Sequence, residues 1–239
     1  MEPYLLGLAA LVAGTVRGFS GFGTAMIYLP VAGRFLDPFE AITTLMLMDL
    51  VGPLPGIPAA LKHAHRADLG RLLIGLLVGM PVGFAVLLVA SPDLFRTLVS
   101  GITLILLVFL VSGVRYRGTL GAGGIFGTGV ASGLLGGVAG LFGPPVILVY
   151  MARPLSPAVI RANVLIFLML ADVSLIALYA GTGEIVGGAV VTGVLLMIPN
   201  LVGNWIGGRL FDERRERLYR LVSYSIIAAS AIAGLPFLR

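Results

Sequence analysis

The chain has 239 residues, 58% of them hydrophobic and only 11% charged, with a net charge of +5 and a mean hydropathy of +1.06. A soluble domain carries about 25% charged residues, so this composition leaves too little polar surface for a soluble fold and excludes that class. Cysteine is absent, which excludes disulfides, iron–sulfur ligation and thiol relays, and the basic residues fall in short loops between apolar runs, a membrane-topology pattern rather than a nucleic-acid one.

The first apolar element, Tyr4–Phe35, follows a start that lacks the basic region of a secretory signal, so a membrane element is expected there rather than a cleaved leader. Three elements of ordinary length follow: Ala41–Leu61, Leu72–Pro92 and Thr97–Val114. The second half opens on another overlong element, Gly118–Ala152, and continues with Ala162–Gly183, Ile185–Gly208 and Leu221–Leu238. No additional soluble domain is expected within this length.

The two halves resemble each other at a nearly constant spacing. Gly18-Phe19-Ser20-Gly21-Phe22-Gly23 returns loosely as Gly137-Val138-Ala139-Gly140-Leu141-Phe142-Gly143, Pro38 returns as Pro157, and Pro81 as Pro199. Such ordered matches predict an internal duplication, with repeats 1–117 and 118–239 forming one transmembrane domain. A continuous helix of about 35 residues would be about 52 Å long against a hydrocarbon core of about 30 Å. Each long element is therefore expected to break at its glycines and form a re-entrant hairpin, half a helix in and half a helix out; Pro144-Pro145 suits the first turn of the returning helix.

Charge placement favours that arrangement. If each long element enters and leaves on one face, Lys62, Arg66, Arg71, Arg115, Arg117, Arg153, Arg161, Arg209, Arg214, Arg215, Arg217 and Arg220 fall inside, and only Arg34, Arg96 and Arg239 outside. Single crossings divide the same residues nine to six. The positive-inside rule selects the hairpins. Each half then makes an odd number of crossings and the halves are inverted. The fold class expected is an all-α membrane protein of two inverted repeats, each a re-entrant or broken helical hairpin followed by three transmembrane helices, a build common among secondary transporters.

Three groups of residues could carry chemistry. Arg17 and the run Gly18–Thr24 sit at the first expected tip, where the N-terminus of the returning half-helix offers unpaired N–H groups beside the Ser20 and Thr24 hydroxyls. Gly140 and Gly143 mark the second tip, and two such tips converging with one guanidinium suit a small oxyanion. The competing role for Arg17 is an ion pair with Asp49 or Asp172. Those aspartates, each inside an apolar span, are candidates for proton coupling or for structural pairing. Thr43, Thr44, Asn163, Asn200 and Asn204 fit helix packing and ligand contact equally; Thr44 and Asn163 correspond at the repeat spacing. His63 and His65 are expected in a solvated loop. They lack the further ligands that a metal site needs. The Gly75/Gly79/Gly83 spacing points to close helix packing.

The paired glycine motifs (Gly18 to Gly23 and Gly136 to Gly143), together with Thr43-Thr44-Leu45 early in the next element, resemble the TauE/SafE family of sulfite exporters, and the resemblance covers essentially the whole chain. It implies a multi-pass inner-membrane carrier, without a cofactor and not an enzyme, for sulfite, sulfoacetate or related organosulfonates and carboxylates. Departures are Phe22 and Thr24, where longer glycine runs are frequent, and the Pro144-Pro145 close of the second motif. The leading expectation is a secondary transporter working by alternating access, with Arg17, Gly18, Ser20, Gly21, Gly23, Thr24, Thr44, Gly140, Gly143 and Asn163 as substrate contacts. The alternatives are an anion channel and a non-transporting membrane subunit. Expected partners are a small anion and the lipid bilayer, with homo-oligomerisation open.

Overall fold

The computed structural model describes residues 2–112, 120–151, 153, 155–210 and 216–237. Arg115, Arg117, Arg214, Arg215 and Arg239 of the charge count, and the boundary expected between residues 117 and 118, lie outside the described residues. Among the described residues the structure is helical without strands: α1 (Glu2–Ser20), α2 (Thr24–Ala32), α3 (Pro38–Leu50), a 3-10 turn (Leu54–Gly56), α4 (Ile57–His63), α5 (Arg66–Leu88), α6 (Pro92–Ser112), α7 (Ala122–Ala139), α8 (Gly143–Met151), α9 (Pro157–Thr182), α10 (Gly187–Leu210) and α11 (Glu216–Gly234). Helices α1, α5, α6, α7, α9 and α10 are long and apolar enough to cross a membrane, and α3 with α4 makes a seventh if taken as one broken span. The protein is a multi-pass membrane protein.

Both overlong elements break at their glycines, but unevenly. The first divides into 19 and 9 residues and the second into 18 and 9, not into the equal arms expected. The glycines fix the break: Gly23 precedes α2 at φ +103° and Gly140 ends α7 at φ +66°, left-handed conformations that cost an L side chain roughly 1–2 kcal/mol. Both lie past the middle of their elements. The expected span Ala41–Leu61 is also broken, because Pro53, Pro55 and Pro58 lack the N–H that a continuous helix needs there. Helix α3 starts on a capping box in which the Asp37 N–H donates to Glu40 Oε2 at 3.3 Å, and α9 on Ser156, whose Oγ accepts from the Val159 N–H at 3.4 Å.

The helices form two compact units, and each draws on both halves of the sequence. The first comprises Met1–Gly52, Ser91–Val111 and Glu184–Arg239; the second comprises Pro53–Ala90 and Ser112–Gly183.

In the second unit α5 and α7 run side by side with their backbones touching. A Cβ added at Gly75 would lie 2.3 Å from the Phe126 carbonyl oxygen, one at Gly79 2.2 Å from that of Val130, and one at Gly83 2.3 Å from that of Leu134. Gly129, Gly133 and Gly137 approach Leu72, Leu76 and Met80 in the same way from the other side. Residue numbers rise together along both helices, so the pair is parallel. Apolar side chains have no water to escape inside a membrane, so close backbone approach through small residues is the means of holding helices together. This agrees with the packing expected from the glycine spacing in α5. Helix α9 also runs parallel to α5: the Asn163 amide oxygen accepts from the His65 N–H at 2.9 Å near one end, and the Phe84 and Tyr179 rings are 5.6 Å apart near the other.

The first unit uses the same device. Gly14 and Gly18 of α1 approach the Asn200 and Asn204 carbonyls of α10, and Gly203 and Gly207 approach those of Leu11 and Thr15, again in parallel register. Helix α3 lies along α10 in the same direction, with Gly193 against Thr44 and Leu47 and Gly52 beside the Asn204 amide. At another corner Arg96 of α6 donates to the carbonyls of Gly234 and Leu235 at 3.3 and 3.4 Å, capping the end of α11. Outward faces carry exposed Ile74, Val78 and Val82 on α5 and Val191, Leu195 and Ile198 on α10, as a lipid-facing surface requires.

Candidate functional site

The first unit gathers the charged residues of the α1–α2 break. Arg17 lies in the last turn of α1 and Asp49 in the last turn of α3; Arg17 Nη1 is 2.5 Å from Asp49 Oδ2, with the side chains 13% and 16% exposed. The Thr24 side chain lies near this carboxylate, and the Arg17–Asp49 contact is one of charge, since neither Arg17 Nη1 nor Asp49 Oδ1 has a hydrogen bond of good geometry. Arg17 thus makes an ion pair with Asp49, a partner weighed for it in the sequence. A lone guanidinium within an apolar helical unit is costly, and a carboxylate within reach offsets that cost.

The turn itself is held from inside. Ser20 Oγ lies 2.7 Å from the carbonyl oxygens of both Val16 and Phe22 and accepts from the Phe22 N–H at 3.3 Å, while the Gly21 N–H donates to the Arg17 carbonyl at 2.7 Å. Ser20 thus shapes the tip. Helix α2 has no side-chain cap, and its first intrahelical bond runs from the Ile27 N–H to the Gly23 carbonyl. The N–H groups of Thr24, Ala25 and Met26 therefore face forward, where a helix terminus carries partial positive charge.

The tip in the second unit differs. The Gly140 N–H donates to the Gly136 carbonyl at 2.7 Å, and the Ser132 hydroxyl donates to the Phe142 carbonyl. Helix α8 then begins Gly143-Pro144-Pro145-Val146, so two of its first four positions have no N–H to offer. As an anion-binding terminus it is the poorer of the two.

The remaining expected contacts have partners within their own units. Thr44, on α3 in the first unit, accepts from the Tyr28 hydroxyl at 2.8 Å and donates to the Ala41 carbonyl at 2.9 Å. Asn163, in the second unit, is occupied by the His65 N–H and donates to the Tyr150 hydroxyl at 3.3 Å. Asp172 is half-buried on α9. The sequence reading thus finds Arg17, Thr24 and Asp49 together, while Gly140, Gly143, Asn163 and Asp172 belong to the other unit.

One cluster escaped it altogether. Asp68, with its side chain 2% exposed at the start of α5, binds Arg153 at 2.5 Å and has Arg71 at 3.4 Å and His65 at 3.3 Å. The charge count treated its basic members as loop residues. No local pattern marks residues 85 positions apart as partners.

The sequence model of the family described as Sulfite exporter TauE/SafE matches residues 6–234. A protein of Cupriavidus necator described as "Probable sulfite/organosulfonate exporter TauE" is 30% identical over 216 residues, covering 87% of this chain and 84% of its own. No solved structure matches the chain. A family match over nearly all of a glycine-broken, multi-pass helical chain leaves one assignment: the chain belongs to the TauE/SafE sulfite exporter family.

Proposed function

We propose that the protein is a secondary transporter that moves a small sulfur-containing or organic anion, of the sulfite, sulfoacetate or organosulfonate kind, across the inner membrane by alternating access. The relative's description supplies the substrate class. The observation that carries the reading is the α1–α2 break, where a guanidinium and an uncapped helix N-terminus meet inside an apolar unit. Both favour an oxyanion, the guanidinium by charge-assisted hydrogen bonds and the helix end by its oriented N–H groups.

An anion arriving here competes with Asp49 for Arg17. Once it takes over the guanidinium, the carboxylate has lost its counter-ion inside an apolar span, the condition in which it takes up a proton. Asp49 is therefore the candidate for coupling beside Arg17, and Asp172 stays a candidate in the second unit. Export of an anion against no gradient needs no such coupling, since an inside-negative potential supplies about 2.3 kcal/mol per charge per 100 mV. Uptake or exchange would use it.

Helix directions support the inverted-repeat topology. In the first unit α1 and α3 both run parallel to α10, and in the second α7 and α9 both run parallel to α5. If α1 and α2 together crossed the membrane once, α3 would have to run opposite to α1. The shared direction is what a returning α2 produces, and α8 stands likewise between α7 and α9.

The test is flux in proteoliposomes. Saturable exchange of labelled sulfite is expected with the wild-type chain, falling at least tenfold in Arg17→Ala. Absence of sulfur-anion flux in a well-folded preparation would move a membrane-subunit role ahead of transport.

A further inference from the structure

Helix α10 carries an asparagine whose environment helix packing does not explain. Asn200 is fully buried, and neither its Nδ2 nor its Oδ1 has a hydrogen-bond partner. A buried amide left unpaired at both ends costs free energy at each. Helix cohesion does not use it either: the contact of α10 with α1 at this level is made by the Asn200 backbone against Gly14, while its amide goes unused. Pro199 precedes it and has no N–H, so the Leu195 carbonyl loses its helical partner one turn away. The proline partner of Pro199 at the repeat spacing is Pro81, and the residue after that is Val82, which is 56% exposed. The amide thus belongs to one half only, as a ligand-reading residue would, and the bend that both prolines allow does not require it.

Asn200 is level with Gly14, one turn from the proposed site. One turn further along α10, Asn204 lies against Gly18 and its Nδ2 is 3.4 Å from where a Cβ on Gly52 would sit. Gly18 follows Arg17, and Gly52 is one turn past Asp49. All of these residues lie in the first unit.

A primary amide presents donors and an acceptor whichever way it is turned. A donor-free oxyanion satisfies the Asn200 donors and leaves its oxygen stranded. We infer that Asn200 reads a hydrogen-bond donor on the substrate: the transported anion is a small oxyanion that also carries an O–H or N–H group, and donor-free anions of equal charge are discriminated against. This rests on the anion-transport reading above and narrows its substrate class.

The test uses two sulfonates that differ by one hydroxyl, 2-hydroxyethanesulfonate and ethanesulfonate, with sulfite alongside. Binding to the full chain in detergent is read from the shift in melting temperature against concentration. Sites built to hydrogen-bond a substrate hydroxyl reject the analogue lacking it strongly. The hydroxyl compound is expected to bind at least roughly tenfold more tightly to the wild type. Asn200→Leu should bring that ratio near unity, and Asn200→Ser, which still donates and accepts, should keep part of it. The wild-type ratio needs no variant to fold. Sulfite binding with no preference between the sulfonates, or a preference that survives in Asn200→Leu, overturns this inference alone. No shift with any of the three anions overturns it together with the transport reading.

Discussion

Arg153 and Asp68 are joined by a salt bridge of 2.5 Å across 85 residues of chain, tying the segment after α8 to the first turn of α5. The carboxylate is almost wholly buried while the guanidinium is 17% exposed, so the two partners are not equivalent. Breaking a buried pair from one side costs roughly 3–5 kcal/mol, because the other charge is left uncompensated. Arg153→Ala strands the buried member and is expected to approach the lower end of that range, since Arg71 and His65 still face Asp68. Asp68→Asn leaves an arginine that reaches solvent, and should cost less. Melting temperatures of the two variants and of the combined one test this; the combined variant should be more stable than Arg153→Ala alone.

Arg17 and Asp49 pose the corresponding question where function is at stake. Arg17→Ala removes the counter-ion of Asp49 and should destabilise the chain by about 2–4 kcal/mol. Adding Asp49→Asn removes the stranded charge and should restore most of that loss. Transport separates the two roles. If Arg17 binds the anion, the double variant regains stability without regaining sulfite flux. Recovery of both would make the pair structural.

The legible part of this fold was whatever repeats locally. Gly75, Gly79 and Gly83 recur every four residues, so their shared helix face, and hence close packing, could be read without knowing the partner. The breaks in the long elements were visible because glycine and proline act on their own backbone. Arm lengths were less accessible: the expectation placed each break midway, whereas Gly21, Gly23 and Gly140 set it after about two thirds of each element. The break between α3 and α4 was missed, though Gly52-Pro53 and Pro55-Gly56 signal it, because the overall apolarity of Ala41–Leu61 outweighed them. At the candidate site, Asp49 is recognisable as a charge in an apolar span, and the sequence offers it and Asp172 alike as partners of Arg17. Asp68 and Arg153 were not, since each looks like an ordinary loop charge until the chain folds.

The parallel glycine contacts make a sharp prediction about side-chain size. A Cβ at Gly133 would lie 2.3 Å from the Leu76 carbonyl oxygen, and backbone on both sides leaves nothing flexible to yield. Gly133→Ala should cost about 1–3 kcal/mol or more by forcing α5 and α7 apart. Gly127, on the same helix, has open space where its Cβ would be. Gly127→Ala should be neutral or stabilising by up to about 1 kcal/mol, through helix propensity alone. Thermal unfolding of the two variants under one condition makes the comparison; equal destabilisation would show that helix position, not contact, decides the outcome.

Topology is open to a test that uses the absence of native cysteine. If α7 and α8 together crossed the membrane once, the segment after α8 would emerge on the face opposite to the segment between α4 and α5. The salt bridge from Arg153 to Asp68, and the hydrogen bond from the His65 N–H to Asn163, instead join those two segments within one unit. Single cysteines at His63 and Leu155 should therefore react with a membrane-impermeant maleimide from the same face, and that face should be the cytoplasmic one, where the basic residues accumulate. Vesicles of both orientations distinguish the cases. Labelling of Leu155→Cys from the face opposite to His63→Cys would mean that α8 completes a crossing, and the inverted repeat would have to be abandoned.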